Sequence, residues 1–113
     1  GLGSHTYNPV FGATRNAIDS SRSAGGSSGG AALALAARMT SIADGSDMMG
    51  SLRNPAGWNE IYGLRPTWGA VPSEPKGDTF LHQLSTGGPM ARSLADLALL
   101  LDVQAGRDPR QPH

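Results

Sequence analysis

Of the 113 residues, 16 are glycine and 8 proline, while only 38% are hydrophobic and 5% aromatic; a chain of this length hides only about two-thirds of its unfolded surface, so a self-sufficient core is not expected. Nine basic and nine acidic side chains cancel to a net charge of zero, which argues against a polyanion partner and leaves no basic stripe for nucleic acid. With no cysteine there is neither a disulfide framework nor a thiolate metal site, and a reducing, cytoplasmic setting is expected. The longest apolar run, 29–37, is far too short to cross a bilayer. The first residue is glycine rather than methionine, so the true N-terminus, with any targeting signal, is expected upstream.

Residues 1–24 read as loop, punctuated by Gly3, Asn8-Pro9, Gly12 and the polar cluster at 20–23, with a short extended piece near 6–11. Four glycines around Ser27 and Ser28 then make a loop whose backbone is free to approach a ligand or another strand. From Ser28 to about Met39 the alanine-leucine run predicts a helix, apolar on every side and therefore buried. Its N-terminus presents free N–H groups to the glycine loop. A short strand at 41–43 is expected to enter a turn at 44–51. A helix over 52–58 follows, with Pro55 tolerated in its first turn. A strand at 60–64 is stopped by Pro66, 68–78 is loop, and 86–92 is extended. The last helix is the clearest. Ser93 is a good N-cap, Asp96 stands three places on, and Leu94, Leu97, Leu100 and Leu101 fall on one face. Gly106 suits its end. The alternation of short strands and helices predicts an α/β fold, on too little chain for a complete doubly wound domain.

The chemistry concentrates between Gly25 and Arg53. Gly25-Gly26-Ser27-Ser28-Gly29 fits G-x-S-x-G, yet a nucleophile elbow needs a hydrophobic strand before it, and residues 20–24 are small and polar. A phosphate loop of the Walker type needs Gly-Lys-Ser/Thr, where this chain has Gly29-Gly30-Ala31. Taken alone, the loop reads as a place of close packing. Ser51 shifts the balance. It ends an acidic, glycine-containing stretch, and successive N–H groups from Met48 to Ser51 suit a concave nest for an oxyanion. Ser27, if folded beside Ser51, relays its proton but is no base. His5, His82 and His113 stand in no telling context, although Ser-His-Asp chemistry stays open. Asp44 and Asp47 either orient a base or, as we favour, pair with Arg53 and nearby N–H groups. No cluster has metal-ligand spacing. Trp58, Trp68 and the leucine face of the last helix are expected in the core. A non-catalytic module that binds anions on the glycine loop is a rival reading.

GGSSGG at 25–30, DGSD at 44–47, GSLRNPA at 50–56, GLRPT at 63–67 with Gly69 and Val71-Pro72, and GPMARS at 88–93 before Asp96-Leu97 occur in order and with close spacing. Asn8-Pro9 and Thr14-x-Asn16 precede them. The set resembles the amidase signature family along nearly the whole chain. That resemblance implies a mixed sheet flanked by helices, only partly present. It also implies hydrolysis of a carboxamide by a Ser–Ser–Lys triad through an acyl-enzyme, with no cofactor and no metal. Ser51 would be the nucleophile and Ser27, after a cis peptide, the bridge to a lysine base. The N–H groups of Met48, Met49, Gly50 and Ser51 would form the oxyanion hole. Ser28 and Ser46 would hydrogen-bond behind the pair, and Asp47 and Arg53 would shape the turn.

The family lysine falls upstream of the chain, and Lys76 matches no triad position. Residues 1–113 are thus expected to be the central fragment of one amidase domain, without an internal boundary and inactive alone. The lysine-bearing N-terminal part and the C-terminal part would be absent. A small amide is the expected substrate and a homodimer a possible assembly of the parent, with no direct nucleic-acid partner and no membrane. Met49 replaces a glycine of the family pattern, which bears on the turn and on substrate choice. The Met48-Met49 pair also argues against the alternative within the family, the glutamine-amidase component of a tRNA-dependent amidotransferase.

Overall fold

The computed structural model describes residues 3–73 and 83–111. Lys76, His82 and His113 lie outside the described residues. In chain order the elements are β1 (Tyr7–Asn8), β2 (Gly12–Ala13), α1 (Gly29–Ala36), β3 (Ile42–Asp47), α2 (Arg53–Trp58), β4 (Tyr62–Gly63), β5 (Thr86–Ala91) and α3 (Leu94–Gln104). β4 and β5 are far apart in sequence but lie side by side. β5 is central, with β3 antiparallel on one edge and β4 antiparallel on the other. β1 and β2 form a separate hairpin, closed where Asn8 Oδ1 accepts the N–H groups of Val10 and Phe11. The architecture is mixed α/β, as the alternation of elements predicts.

Small residues set the packing. Ala32 and Leu35 of α1 meet Leu52, Ala56, Ile61 and Met90 in one buried cluster. α1 is hydrophobic all round, yet only Gly29, Ala32 and Leu35 are buried. The helix ends earlier than the predicted Met39. Arg38 takes a left-handed φ of 60°, its N–H donates to Leu35 O at 3.0 Å, and the Met39 N–H donates to Ala34 O at 2.8 Å. This is a Schellman ending with arginine where glycine is relaxed. Arg38→Gly is therefore expected to stabilise the fold by about 0.5–1 kcal/mol, read as a higher midpoint in urea unfolding. The Arg92 guanidinium crosses from the end of β5 to cover the same terminus, donating from Nη1 to Leu35 O at 2.8 Å and to Thr40 O.

Three expectations give way. The acidic stretch 44–47 is not part of a turn but the last four of the six residues of β3. Asp44, Gly45, Ser46 and Asp47 pair with Pro89, Gly88, Gly87 and Thr86, and glycine on both strands lets the backbones close up. The leucine face of α3 is only half-buried, and no α3 residue is fully buried. Leu94, Leu99 and Val103 are exposed, because among the described residues only the sheet side of the helix is packed. Trp58 is not in the core either, being 52% exposed at the end of α2. Ser93 does cap α3, its Oγ accepting the Asp96 N–H at 3.1 Å and donating to the Asp96 carboxylate at 2.8 Å. No helix among the described residues is long and apolar enough to cross a membrane.

Candidate active site

The glycine loop and the Ser51 turn are joined through main chain. The Ser28 N–H donates to the Ser51 carbonyl at 3.0 Å, so the backbones carrying Ser27 and Ser51 are neighbours although 24 positions apart (51 − 27). The Gly26-Ser27 peptide is cis, as the resemblance implies. Behind the loop, Ser28 Oγ accepts the Ser46 N–H at 3.2 Å, which ties the start of α1 to β3. Ser27 is exposed, and Ser51 and Ser28 are half-buried. Among the described residues no hydrogen bond links the Ser27 and Ser51 hydroxyls directly.

Glycine is required in this loop by contact. Gly25 has a φ of 80° and lies against Trp58 and Pro55. At Gly26 a Cβ would fall on the backbone of His5. Backbone atoms have no rotamer by which to retreat, so Gly26→Ala forces the loop and the N-terminal segment apart. It is expected to cost about 3 kcal/mol, measured by denaturant unfolding of the protein that carries this chain.

The Ser51 turn is organised by Asp47, which is fully buried. Its Oδ1 accepts the Gly50 N–H at 2.8 Å and Arg53 Nη2 at 3.1 Å, and meets Arg65 Nε at 3.4 Å. Its Oδ2 accepts Arg53 Nε at 2.9 Å, the Arg53 N–H at 3.2 Å and the Leu52 N–H at 3.3 Å. Burial pushes the carboxyl up. The Arg53 fork and the N–H groups of Gly50, Arg53 and Leu52 outweigh it and hold the group well below the usual carboxylate range. Arg53 is raised in turn by its hydrogen bond to Asp47 and by that charge. Arg65 carries the network further, donating from Nη2 to Leu84 O at 2.5 Å.

Of the four N–H groups expected to face an oxyanion, that of Gly50 is engaged by Asp47. Those of Met48, Met49 and Ser51 have no acceptor among the described residues. Gly50 has a φ of 108° and abuts Asn54, so glycine is needed there. Met49 is not among the positive-φ residues and is 75% exposed. Its replacement of glycine therefore puts no strain on the backbone and alters only the surface the turn presents. Among the described residues no group of three or more His, Asp or Glu side chains is placed to hold a metal ion. A cleft beside Trp58, Arg22 and Glu60 is lined by none of the candidate residues.

Several residues that build the site carry no obvious sequence signal. Asn59 donates from Nδ2 to Ala24 O and Pro55 O, both at 2.9 Å, and accepts the Ala17 N–H at 3.0 Å. Asn16 donates to Trp58 O at 2.6 Å. Together they lash the 16–24 segment to α2. Thr6 holds the glycine loop from the other side. Asparagine and threonine in a loop usually mark turns, and only the fold reveals these long-range bonds.

Comparison with known proteins places the chain in a family. The Amidase family model matches residues 1–113. A glutamyl-tRNA(Gln) amidotransferase subunit of Deinococcus deserti is 50% identical over 109 residues, covering 96% of this chain and 22% of that protein. The corresponding Thermus thermophilus protein is also 50% identical over 109 residues, covering 96% and 23%. Among solved structures, a bacterial aryl acylamidase of the amidase signature enzymes superposes with a TM-score of 0.91 at 40% identity, covering 99% of this chain and 23% of that one. A 6-aminohexanoate cyclic dimer hydrolase gives 0.90 at 37%, covering 100% and 24%. The chain thus spans about a fifth of the length of the curated relatives it matches. With a family model matched along its whole length and solved amidase signature enzymes sharing its backbone, the chain belongs to the Amidase family.

Proposed function

We propose that this chain is the central part of an amidase that hydrolyses a small carboxamide by serine attack. The observation that carries the reading is the Ser28 N–H to Ser51 O bond, which seats the two serine-bearing loops together in a chain of this family. Ser51 Oγ attacks the amide carbonyl carbon while its proton passes to Ser27 and on to a base. That base is a lysine outside residues 1–113, so the isolated chain is inactive. The N–H groups of Met48, Met49 and Ser51 hold the developing oxyanion, each donor being worth about 3–4 kcal/mol. The C–N bond breaks, the amine leaves with the proton, and water releases the acyl group from Ser51. Asp47 with Arg53 fixes the turn from behind, and Ser28 with Ser46 fixes the loop. No cofactor enters the scheme.

A second reading has its own support in the 50% identity to the amidotransferase subunits. There the amide is that of glutamine, and ammonia passes onward to a partner protein. One assay separates the two. The protein that carries this chain, at the length of its relatives, is given anilides, aliphatic amides and glutamine, with released amine and ammonia both measured. Turnover of simple amides without a partner supports the amidase. Ammonia from glutamine alone, rising when a partner protein is added, supports the alternative. No turnover of any amide defeats both.

A further inference from the structure

Thr6 meets the glycine loop with a single hydroxyl. Thr6 Oγ1 lies 3.0 Å from the Gly25 carbonyl oxygen and 3.2 Å from that of Ser27, and it accepts the Gly29 N–H at 3.1 Å. These three main-chain groups bracket Ser27 on both sides. A threonine hydroxyl has one proton and two lone pairs. Here the proton is shared between two carbonyls and a lone pair takes Gly29, so the group is committed to the backbone and is not placed to carry a substrate proton. The contacts span 19 to 23 positions of sequence, so they are tertiary and not a local turn. Thr6 is itself held. Its carbonyl accepts the Thr14 N–H at 2.9 Å, and the Thr14 carbonyl accepts the Ala24 N–H at 3.2 Å. The preceding residue, His5, packs its backbone against Gly26.

We infer that Thr6 is a positioning residue for Ser27, fixing the main chain on either side so that the Ser27 hydroxyl is presented to Ser51. The inference rests on the reading of Ser27 and Ser51 as the reacting pair. Without the Thr6 hydroxyl both carbonyls lose their donor and Gly29 its acceptor. A shift of about 1 Å in a reacting group costs roughly 10²-fold in rate.

The test compares Thr6→Val, which removes the hydroxyl and keeps the branched shape, with Thr6→Ser, which does the reverse. Both are made in the protein that carries this chain, and kcat and KM are measured on an anilide with thermal melting alongside. Thr6→Val is expected to lower kcat by roughly 10–100-fold with KM within about twofold. Thr6→Ser is expected to keep kcat within about threefold of the parent. A Thr6→Val enzyme with parental kcat, or a Thr6→Ser enzyme as slow as Thr6→Val, overturns the inference. If Thr6→Val does not fold, Thr6→Ser decides: retained kcat supports the inference and a fall of about tenfold overturns it. The unaltered enzyme is first treated with a fluorophosphonate. No adduct on Ser51 removes the underlying reading and the inference with it. An adduct on Ser51 together with an unaffected Thr6→Val removes the Thr6 inference alone.

Discussion

Ser51→Ala in the protein that carries this chain is expected to lower kcat for amide hydrolysis by about 10⁶-fold, with KM nearly unchanged. That is about 8 kcal/mol of transition-state stabilisation. The size follows from the scheme. Without Ser51 Oγ there is no covalent intermediate, and Ser27 is left with nothing to deprotonate. What survives is the binding of substrate and the main-chain N–H groups of Met48, Met49 and residue 51, which alanine keeps; they act on an oxyanion only if water attacks unaided. A residual rate about 10³–10⁴ above the uncatalysed reaction is expected from that source. Steady-state kinetics over a range of amide concentrations measures both parameters. An unchanged kcat would remove Ser51 from the chemistry.

Asp47→Asn is expected to destabilise the fold by about 3–5 kcal/mol, because it breaks a buried, hydrogen-bonded charge pair from one side. The change is nearly isosteric, so the cost is not a cavity. Both carboxylate oxygens face donors only: Gly50 N–H, Arg53 Nη2 and Arg65 Nε on one side, Leu52 N–H, Arg53 N–H and Arg53 Nε on the other. An asparagine turns an NH₂ toward one of these sets, leaving donors against donors and buried N–H groups unpaired. The same carboxylate sets an acid limit. Its pKa in the fold lies below its unfolded value, so the unfolded chain takes up the proton first. The stabilisation is therefore complete above the unfolded carboxylate pKa of about 4 and is lost as pH falls through that value toward the folded one. Urea midpoints measured from pH 7 down to pH 3 check both statements. The parent loses stability steeply below about pH 4, and Asp47→Asn starts lower and falls less.

The parts of this site that local chemistry dictates are readable from the residues. Glycines crowded around Ser27 announce a backbone that something else approaches, and the alanine-leucine run behind them can only be a helix. Ser51 is singled out by its neighbours Gly50 and Arg53. What escapes is set by partners distant in sequence. Asp44-Gly45-Ser46-Asp47 has turn composition, yet it is a strand because Gly87 and Gly88, about forty positions on, lie opposite it. Trp58 looks like core, but its indole covers Gly25 at the surface. The expected constraint at Met49 dissolves for a local reason. The positive φ of the turn falls on Gly50, leaving Met49 in ordinary backbone space. Thr6 gives no warning, since one hydroxyl serving three main-chain groups is a property of the folded loop.

The most direct measurement is the site and rate of fluorophosphonate labelling in the protein that carries this chain, with the adduct mapped by tandem mass spectrometry and Ser27→Ala run beside the parent. The account predicts a single adduct on Ser51, forming at least about 100-fold more slowly once Ser27 is gone. An adduct on another residue, or a Ser27→Ala protein that labels as fast as the parent, would contradict the claim that these two loops make one nucleophilic site.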